Sequence, residues 1–242
     1  MEKRAVALGA AFAFLWAAGD AWGYQEVAVK NGGSVAGVVR FGGSPPPPKE
    51  LPITRDVEKC GKGPKVFREV GLSKSGGLRN AVVSIADIQK GKPLDKNPKR
   101  APVLDQRECW FHPRVLIVPA GGTLLLRNTD RILHNFHAIS DNPKQKPLNI
   151  AHPKFRKEIK LRKIRHPGLL KVNCDIHEWM RGWIVAAEHP YHAVTDAEGR
   201  FLLKDVPPGT YKVKVWHETL GTQTRSVTVR PNEKASLELT FR

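Results

Sequence analysis

The sequence has no apolar run of the roughly 18 residues that a membrane-spanning helix requires. A shorter run, from Ala5 to Ala18, follows two basic residues and precedes small residues at Ala21 and Gly23. This pattern is typical of a secretory signal peptide that is cleaved before Tyr24. We therefore expect residues 1–23 to be a signal peptide, and the remaining chain to be periplasmic or secreted without a transmembrane segment.

Acidic residues are scarce, because 23 Asp and Glu stand against 40 Lys and Arg, which gives a formal net charge of +17. A charge of this size steers association toward negatively charged surfaces. The chain has no DNA- or RNA-binding motif, so no nucleic acid is expected as the partner of an exported protein. The charge favours instead an acidic protein, an anionic membrane surface or an outer polysaccharide.

The sequence also lacks the side-chain pairings that carry most acid–base and nucleophilic catalysis. No nucleophile is recognisable beside a base, and no pair of carboxylates stands out from the scattered surface charge. Sulfur is equally scarce, with three Cys and two Met in 242 residues. One Cys and one Met nevertheless lie within the same nine residues, 172–180.

Residues 172–180 space a thiol, an imidazole and a thioether three residues apart, at Cys174, His177 and Met180. With one more imidazole, these groups are the donors of a trigonal His2Cys copper site with a long axial Met. Soft sulfur holds Cu(I), and imidazole suits both oxidation states. The missing imidazole is available at His134, about forty residues earlier, where an antiparallel β-sandwich would bring it beside Cys174.

Strand parity separates these candidates from the other histidines. Side chains alternate between the two faces of a strand, so Leu170, Val172 and Cys174 share one face and point into the core. His137 has the opposite parity from His134, so it is not expected to bind the same ion. The remaining histidines follow no metal-ligand spacing.

The pair His134-Asn135 followed by Cys174-x2-His177-x2-Met180 resembles the cupredoxin family of the plastocyanin and amicyanin type. The resemblance implies a Greek-key sandwich that binds one type 1 copper ion through His134, Cys174 and His177, with Met180 as the axial ligand. It also implies that Asn135 ties the two ligand loops together by hydrogen bonds, a supporting role common around metal sites.

A cupredoxin-like site implies a carrier of single electrons between redox proteins, whose partner has an acidic face, for example a c-type cytochrome. An enzyme is not expected, because one mononuclear redox site offers neither a second metal nor an open position for a substrate. Two alternatives stay open. A copper carrier or chaperone would use the same ligands but hand over the metal, and a structural or adhesion module would bind no metal.

The cysteine pairing depends on the same assignment. If Cys174 binds copper as a thiolate, Cys60 and Cys109 remain as the pair that an oxidising compartment would join in a disulfide. A structural bridge that used Cys174 instead would abolish the copper site.

The segment from Val194 to Val215 resembles the second half of a carboxypeptidase regulatory-like, transthyretin-type β-sandwich. Turn signals at residues 196–199 and 207–209 predict two successive hairpins. In that family a Gly-x-Val strand and an Ala-Val strand come first, and here they occur in residues 33–41 and 80–85.

The two resemblances together imply an all-β protein in which a Greek-key cupredoxin sandwich is packed with, and inserted into, a second small β-sandwich. The host sandwich would comprise residues 24–95 and 190–242, and the copper domain would comprise residues 96–189.

A strongly basic stretch lies between the two ligand segments and is opposed only by Glu158. Its members are Lys154, Arg156, Lys157, Lys160, Arg162, Lys163 and Arg165. One interpretation is a half-exposed strand whose charges keep its edge from pairing with other chains. The other is a docking patch for an acidic partner.

Overall fold

The computed structural model describes residues 23–242, so the expected signal peptide lies outside the described residues except for its last position. Within this range the chain forms strands and two short helical turns, α1 (Val57–Cys60) and a 3₁₀ turn (Pro98–Arg100). Neither turn has the length or apolar character needed to span a bilayer.

The strands have the following bounds in chain order: β1 (Gln25–Glu26), β2 (Gly33–Phe41), β3 (Lys49–Leu51), β4 (Lys65–Phe67), β5 (Val82–Ala86), β6 (Lys90–Gly91), β7 (Val103–Arg107), β8 (Trp110–His112), β9 (Val115–Pro119), β10 (Leu124–Asn128), β11 (His134–Ser140), β12 (Leu148–His152), β13 (Glu158–Leu161), β14 (Gly168–Asn173), β15 (Arg181–Ala187), β16 (His192–Val194), β17 (Arg200–Val206), β18 (Gly209–His217), β19 (Gly221–Val229) and β20 (Lys234–Phe241).

Strands from both ends of the described chain form one sandwich, which we call the terminal sandwich. Its sheets have the orders β16-β5-β18-β19 and β17-β2-β20. Inward side chains of both sheets share one core, which includes Val39, Ile85, Phe201, Val213 and Leu239. The early strands β2 and β5 therefore pair with strands that come more than a hundred residues later.

The strands between β7 and β15 form a second sandwich, which we call the central sandwich. Its sheets have the orders β13-β10-β7-β8 and β12-β11-β14-β15-β9. Its core includes Leu104, Leu126, Phe136, Val172 and Ile184. The prediction of an all-β protein built from two packed sandwiches is confirmed.

The period of two holds in the strand that leads to the candidate ligands. Leu170, Val172 and Cys174 are buried, whereas Lys171 between them is exposed. In the basic stretch all seven basic residues are exposed, while Leu161, at the end of β13, is buried. Strand β13 lies at the edge of its sheet, where exposed charge discourages pairing with another chain.

The two turns of the C-terminal segment are present, but the prediction that they close hairpins was wrong. At the first turn, the Gly199 amide donates to the Asp196 carbonyl at 3.1 Å. The strands that flank each turn pair in different sheets of the terminal sandwich. Strands β17 and β18 bury their apolar sides between the two sheets, and Pro207 and Pro208 have no amide proton to extend a ladder. The turns therefore carry the chain from one sheet to the other.

The segment between β3 and β4 packs against the central sandwich rather than the terminal one. Leu51, Ile53 and Cys60 join the core of the central sandwich. A disulfide links Cys60 to Cys109, with their α-carbons 5.4 Å apart, and these are the two cysteines named as a pair in the sequence analysis. We call residues 52–61, which include α1, the covering segment.

Candidate metal centre

Three donor atoms converge inside the central sandwich. His134 Nδ1 lies 3.0 Å from His177 Nδ1, and Cys174 Sγ lies 3.9 Å from the first nitrogen and 3.7 Å from the second. Among the described residues, no other group of three His, Cys, Asp or Glu side chains is close enough to hold a metal ion. All three side chains are buried.

Two neighbouring strands bring these donors together. His134 is the first residue of β11, and Cys174 directly follows β14, which pairs with β11. The loop after Cys174 folds back on itself, because the Met180 amide donates to the His177 carbonyl at 2.8 Å and the Cys174 amide donates to the Met180 carbonyl at 3.3 Å. The three-residue spacing of the motif therefore becomes a closed turn, and Met180 is fully buried in the same core as Cys174.

Asn135 bridges the two segments that carry the donors. Its Oδ1 accepts from the Asp175 amide at 2.7 Å, and its Nδ2 donates to the Asp175 carboxylate at 2.8 Å. His137 points away from the three donors, and its Nδ1 lies 2.8 Å from Asp175 Oδ1.

Each histidine of the cluster contacts a carboxylate through its other ring nitrogen. His134 Nε2 lies 3.1 Å from Asp130 Oδ2, and His177 Nε2 lies 2.9 Å from Asp56 Oδ2. Neither carboxylate was identified from the sequence. Asp130 stands only four residues before His134, so the sequence places a carboxylate near this histidine. Asp56 is 121 residues from His177, and nothing in the sequence links the two.

The electrostatics of the cluster favour a thiolate. Burial opposes ionisation of Cys174, but its hydrogen-bonding contacts with His134 and His177 outweigh burial and lower the pKa of the thiol to about 6. Burial likewise lowers the pKa of His134, yet Asp130 and Cys174 raise it more, so the net direction is upward. The pKa of Asp130 is lowered despite its burial, because His134 and the backbone amides of Cys109 and Glu108 donate to it.

The donor set fits a bound metal ion. An ion about 2.0 Å from each nitrogen and about 2.3 Å from sulfur holds such donors about 3 to 4 Å apart, and the three donor separations lie between 3.0 and 3.9 Å. Both Nε2 atoms face carboxylates, which leaves the Nδ1 atoms to point at the shared space. Two imidazoles and one thiolate form the donor set that suits copper in a trigonal arrangement.

Comparison with known proteins gives one family match and several structural similarities. Residues 183–242 match the carboxypeptidase regulatory-like domain family, which confirms the resemblance predicted for the C-terminal segment. No curated protein matches the sequence.

Part of the chain is similar to solved structures of copper proteins. A Cu-containing nitrite reductase from Thermus scotoductus SA-01 is 23% identical over 40% of this chain and 24% of its own, with a TM-score of 0.33. The chain thus spans about a quarter of that enzyme's length. An amicyanin variant with Cu(I) is 20% identical over 37% of this chain and 84% of its own, with a TM-score of 0.32. A purple cupredoxin from Nitrosopumilus maritimus is 22% identical over 32% of this chain and 82% of its own, with a TM-score of 0.26.

Proposed function

We propose that this protein binds one type 1 copper ion through His134, Cys174 and His177, and carries single electrons between redox proteins. The observation that carries the proposal is the convergence of two imidazole nitrogens and one buried thiol within 3.0 to 3.9 Å. The low pKa of Cys174, about 6, supplies the thiolate that copper binding requires. Met180, fully buried at the end of the same loop, is assigned as the axial ligand.

Copper at this position would supply a one-electron couple between Cu(II) and Cu(I). The residues of the chain hold the donors in place before any ion binds, since backbone hydrogen bonds close the loop from Cys174 to Met180. Such a preset arrangement limits the rearrangement that electron transfer would otherwise require. The buried donors also exclude water and leave no open position for a substrate, which supports a carrier rather than an enzyme.

The domain arrangement of the proposal is a copper domain of residues 96–189 inserted into a host sandwich of residues 24–95 and 190–242, of which residues 52–61 pack against the copper domain instead. The pairing of β5 with β16 and β18, and of β2 with β17 and β20, supports this division. The disulfide between Cys60 and Cys109 supports export to the periplasm or beyond, because disulfides persist in oxidising compartments.

The partner proposed for the electron carrier is a redox protein with an acidic face, such as a c-type cytochrome. The exposed basic stretch supports this choice by charge complementarity. Phe155, near the start of the basic stretch, is 81% exposed. It lies three residues after His152, and His152 pairs with His134 across β11 and β12. Basic charge and an exposed aromatic ring therefore lie at the same end of the sandwich as the donors.

The decisive experiment adds Cu(II) to the purified mature protein and records the visible spectrum. We expect an intense blue or green band from thiolate-to-copper charge transfer in the wild type. The Cys174→Ser variant should remain folded, because the change is small, but should lose this band. A folded wild type with a reduced thiol that takes up no copper would refute the proposal and leave the structural or adhesion module.

The same preparation separates an electron carrier from a copper chaperone. We expect repeated reduction and reoxidation without loss of the ion, because the donors are buried and held by the fold. Ready release of copper on reduction would favour the chaperone instead.

A further inference from the structure

The outer edge of His177 is covered by a segment that is remote in sequence. Histidine has two ring nitrogens, and the Nδ1 of His177 belongs to the donor cluster while its Nε2 lies 2.9 Å from Asp56 Oδ2. The His177 side chain has no exposed surface, whereas the side chain of Asp56 is 41% exposed. Asp56 therefore stands between the imidazole and the solvent.

We propose that Asp56 is a positioning residue of the metal centre and that the covering segment shields His177 from solvent. This inference rests on the proposed copper function. A carboxylate that accepts from Nε2–H keeps the proton on that nitrogen and leaves the lone pair of Nδ1 free for a metal ion. The negative charge beside the ring also makes the imidazole a stronger donor.

The covering segment is anchored by a backbone hydrogen bond and by the disulfide. Within α1 the Cys60 amide donates to the Asp56 carbonyl at 2.8 Å, so Asp56 is tied to the residue that forms the disulfide with Cys109. The Cys109 amide in turn donates to Asp130 Oδ2 at 2.8 Å, and Asp130 contacts the Nε2 of His134. The disulfide thus joins the segment that carries Asp56 to Cys109, whose amide binds Asp130, the carboxylate beside the other histidine.

Trp179, in the loop from Cys174 to Met180, also covers His177. Its indole Nε1 donates to the Cys109 carbonyl at 3.0 Å, and its ring lies 5.1 Å from that of His177. A redox partner that approaches on this side therefore meets the covering segment rather than the imidazole edge. A chelator that approaches on this side meets the same obstacle.

The test compares Asp56→Ala, Asp56→Asn and a matched control, Glu58→Gln, in the full chain loaded with copper. Glu58 is an exposed carboxylate in the same helical turn, two residues from Asp56. The first measurement is the rate at which excess EDTA removes Cu(II), followed by the loss of the charge-transfer band. We expect Asp56→Ala to weaken metal retention about 10- to 100-fold, as the loss of such supporting partners does, and Glu58→Gln to match the wild type.

The second measurement is the reduction potential. Both Asp56 variants should raise it, because a nearby negative charge stabilises Cu(II) more than Cu(I). Asp56→Asn should retain copper better than Asp56→Ala, since its amide oxygen still accepts from Nε2–H. Faster removal of copper by EDTA with an unchanged reduction potential would overturn the positioning role. Greater access of EDTA to His177 would then be enough to explain the faster removal.

The third measurement uses the metal-free protein, so that failure of copper binding is distinguished from failure of this inference. The ring ¹⁵N chemical shifts of His177 should report the Nε2–H tautomer in the wild type and in Glu58→Gln. Asp56→Ala should lose this preference. Identical ring shifts in Asp56→Ala and the wild type would overturn the inference, whereas a wild type without a charge-transfer band would overturn the proposed function.

Discussion

Asn135 and Asp175 are joined by two hydrogen bonds, one in each direction, between the segments that carry His134 and Cys174. The Asp175 amide donates to Asn135 Oδ1 at 2.7 Å, and Asn135 Nδ2 donates to the Asp175 carboxylate at 2.8 Å. Each bond joins the residue next to one donor with the residue next to another. The distance between the two donor segments therefore depends directly on this pair.

Replacing Asn135 by Ala should both destabilise the protein and loosen the donor cluster. Asn135 is 7% exposed, so its loss leaves the Asp175 amide without its acceptor, at a cost of about 1–3 kcal/mol. Urea unfolding would measure this cost, and the visible spectrum after copper addition would report the loosened site. Asn149→Ala is the control, because exposed Asn149 donates to the same carboxylate at 3.0 Å. Equal effects of the two variants would contradict the bridging role of Asn135.

Met180→Leu should keep the colour of the copper-loaded protein but raise its reduction potential. The two side chains have similar volume, so the exchange at this fully buried position should cost less than about 1.5 kcal/mol. Loss of a weak axial donor disfavours Cu(II) more than Cu(I), which raises the potential. Voltammetry would measure the shift. Leu170→Met, in the same core, is the control and should leave the potential unchanged, and an unshifted potential in Met180→Leu would argue against Met180 as a ligand.

Glu218→Ala should weaken the attachment of the two sandwiches to each other. Glu218 follows β18 of the terminal sandwich and accepts from Arg114 Nε and from Trp183 Nε1 of the central sandwich, each at 2.6 Å. The Arg114 and Glu218 side chains are only 18% and 12% exposed, and removal of one partner of a buried pair costs about 3–5 kcal/mol. We expect a loss toward the lower end of this range in urea unfolding.

The control for Glu218 is Glu158→Ala, which breaks the exposed ion pair with Arg127. Its side chains are 37% and 38% exposed, and exposed pairs contribute about 0–1 kcal/mol. If both variants lost the same stability, the tie between the sandwiches would not depend on Glu218.

The protein should lose stability as the pH falls below about 6.5, because His189 and His192 are held neutral in the fold. Their rings stack at 4.4 Å. Burial, and secondarily the neighbouring His192, lowers the pKa of His189 to about 3, and burial lowers the pKa of His192 to about 4. The unfolded chain takes up these protons near pH 6.5 and the folded chain does not, so protonation favours unfolding, at about 1.4 kcal/mol per unit of pKa difference.

Urea unfolding of the wild type at about pH 7 and about pH 4.5 would measure this loss, which should continue until the pH reaches the folded-state pKa values. His192→Gln cannot take up the proton and should show a smaller loss between the two pH values. His166→Gln, outside the stacked pair, should follow the wild type. An undiminished loss in His192→Gln would assign the pH dependence to other groups.

The sequence by itself determined the parts of this protein that depend on neighbours along the chain. The alternation around Leu170 and Val172 decided which way Cys174 points, since side chains of a strand alternate between its faces. The three-residue steps to His177 and Met180 were enough to select these side chains as candidate donors beside Cys174. The turn signals around Gly199 were equally local, and the turns formed where they were predicted.

Only the tertiary structure decided which distant elements meet. The turns at residues 196–199 and 207–209 join different sheets rather than hairpin strands, because the burial of each strand's apolar face, and not the turn, selects its partner. The contact of Asp56 with His177 spans 121 residues and depends on the covering segment packing against the central sandwich through Cys60. A periodic pattern specifies which side of an element is apolar, but it carries no information about which other apolar surface will cover it.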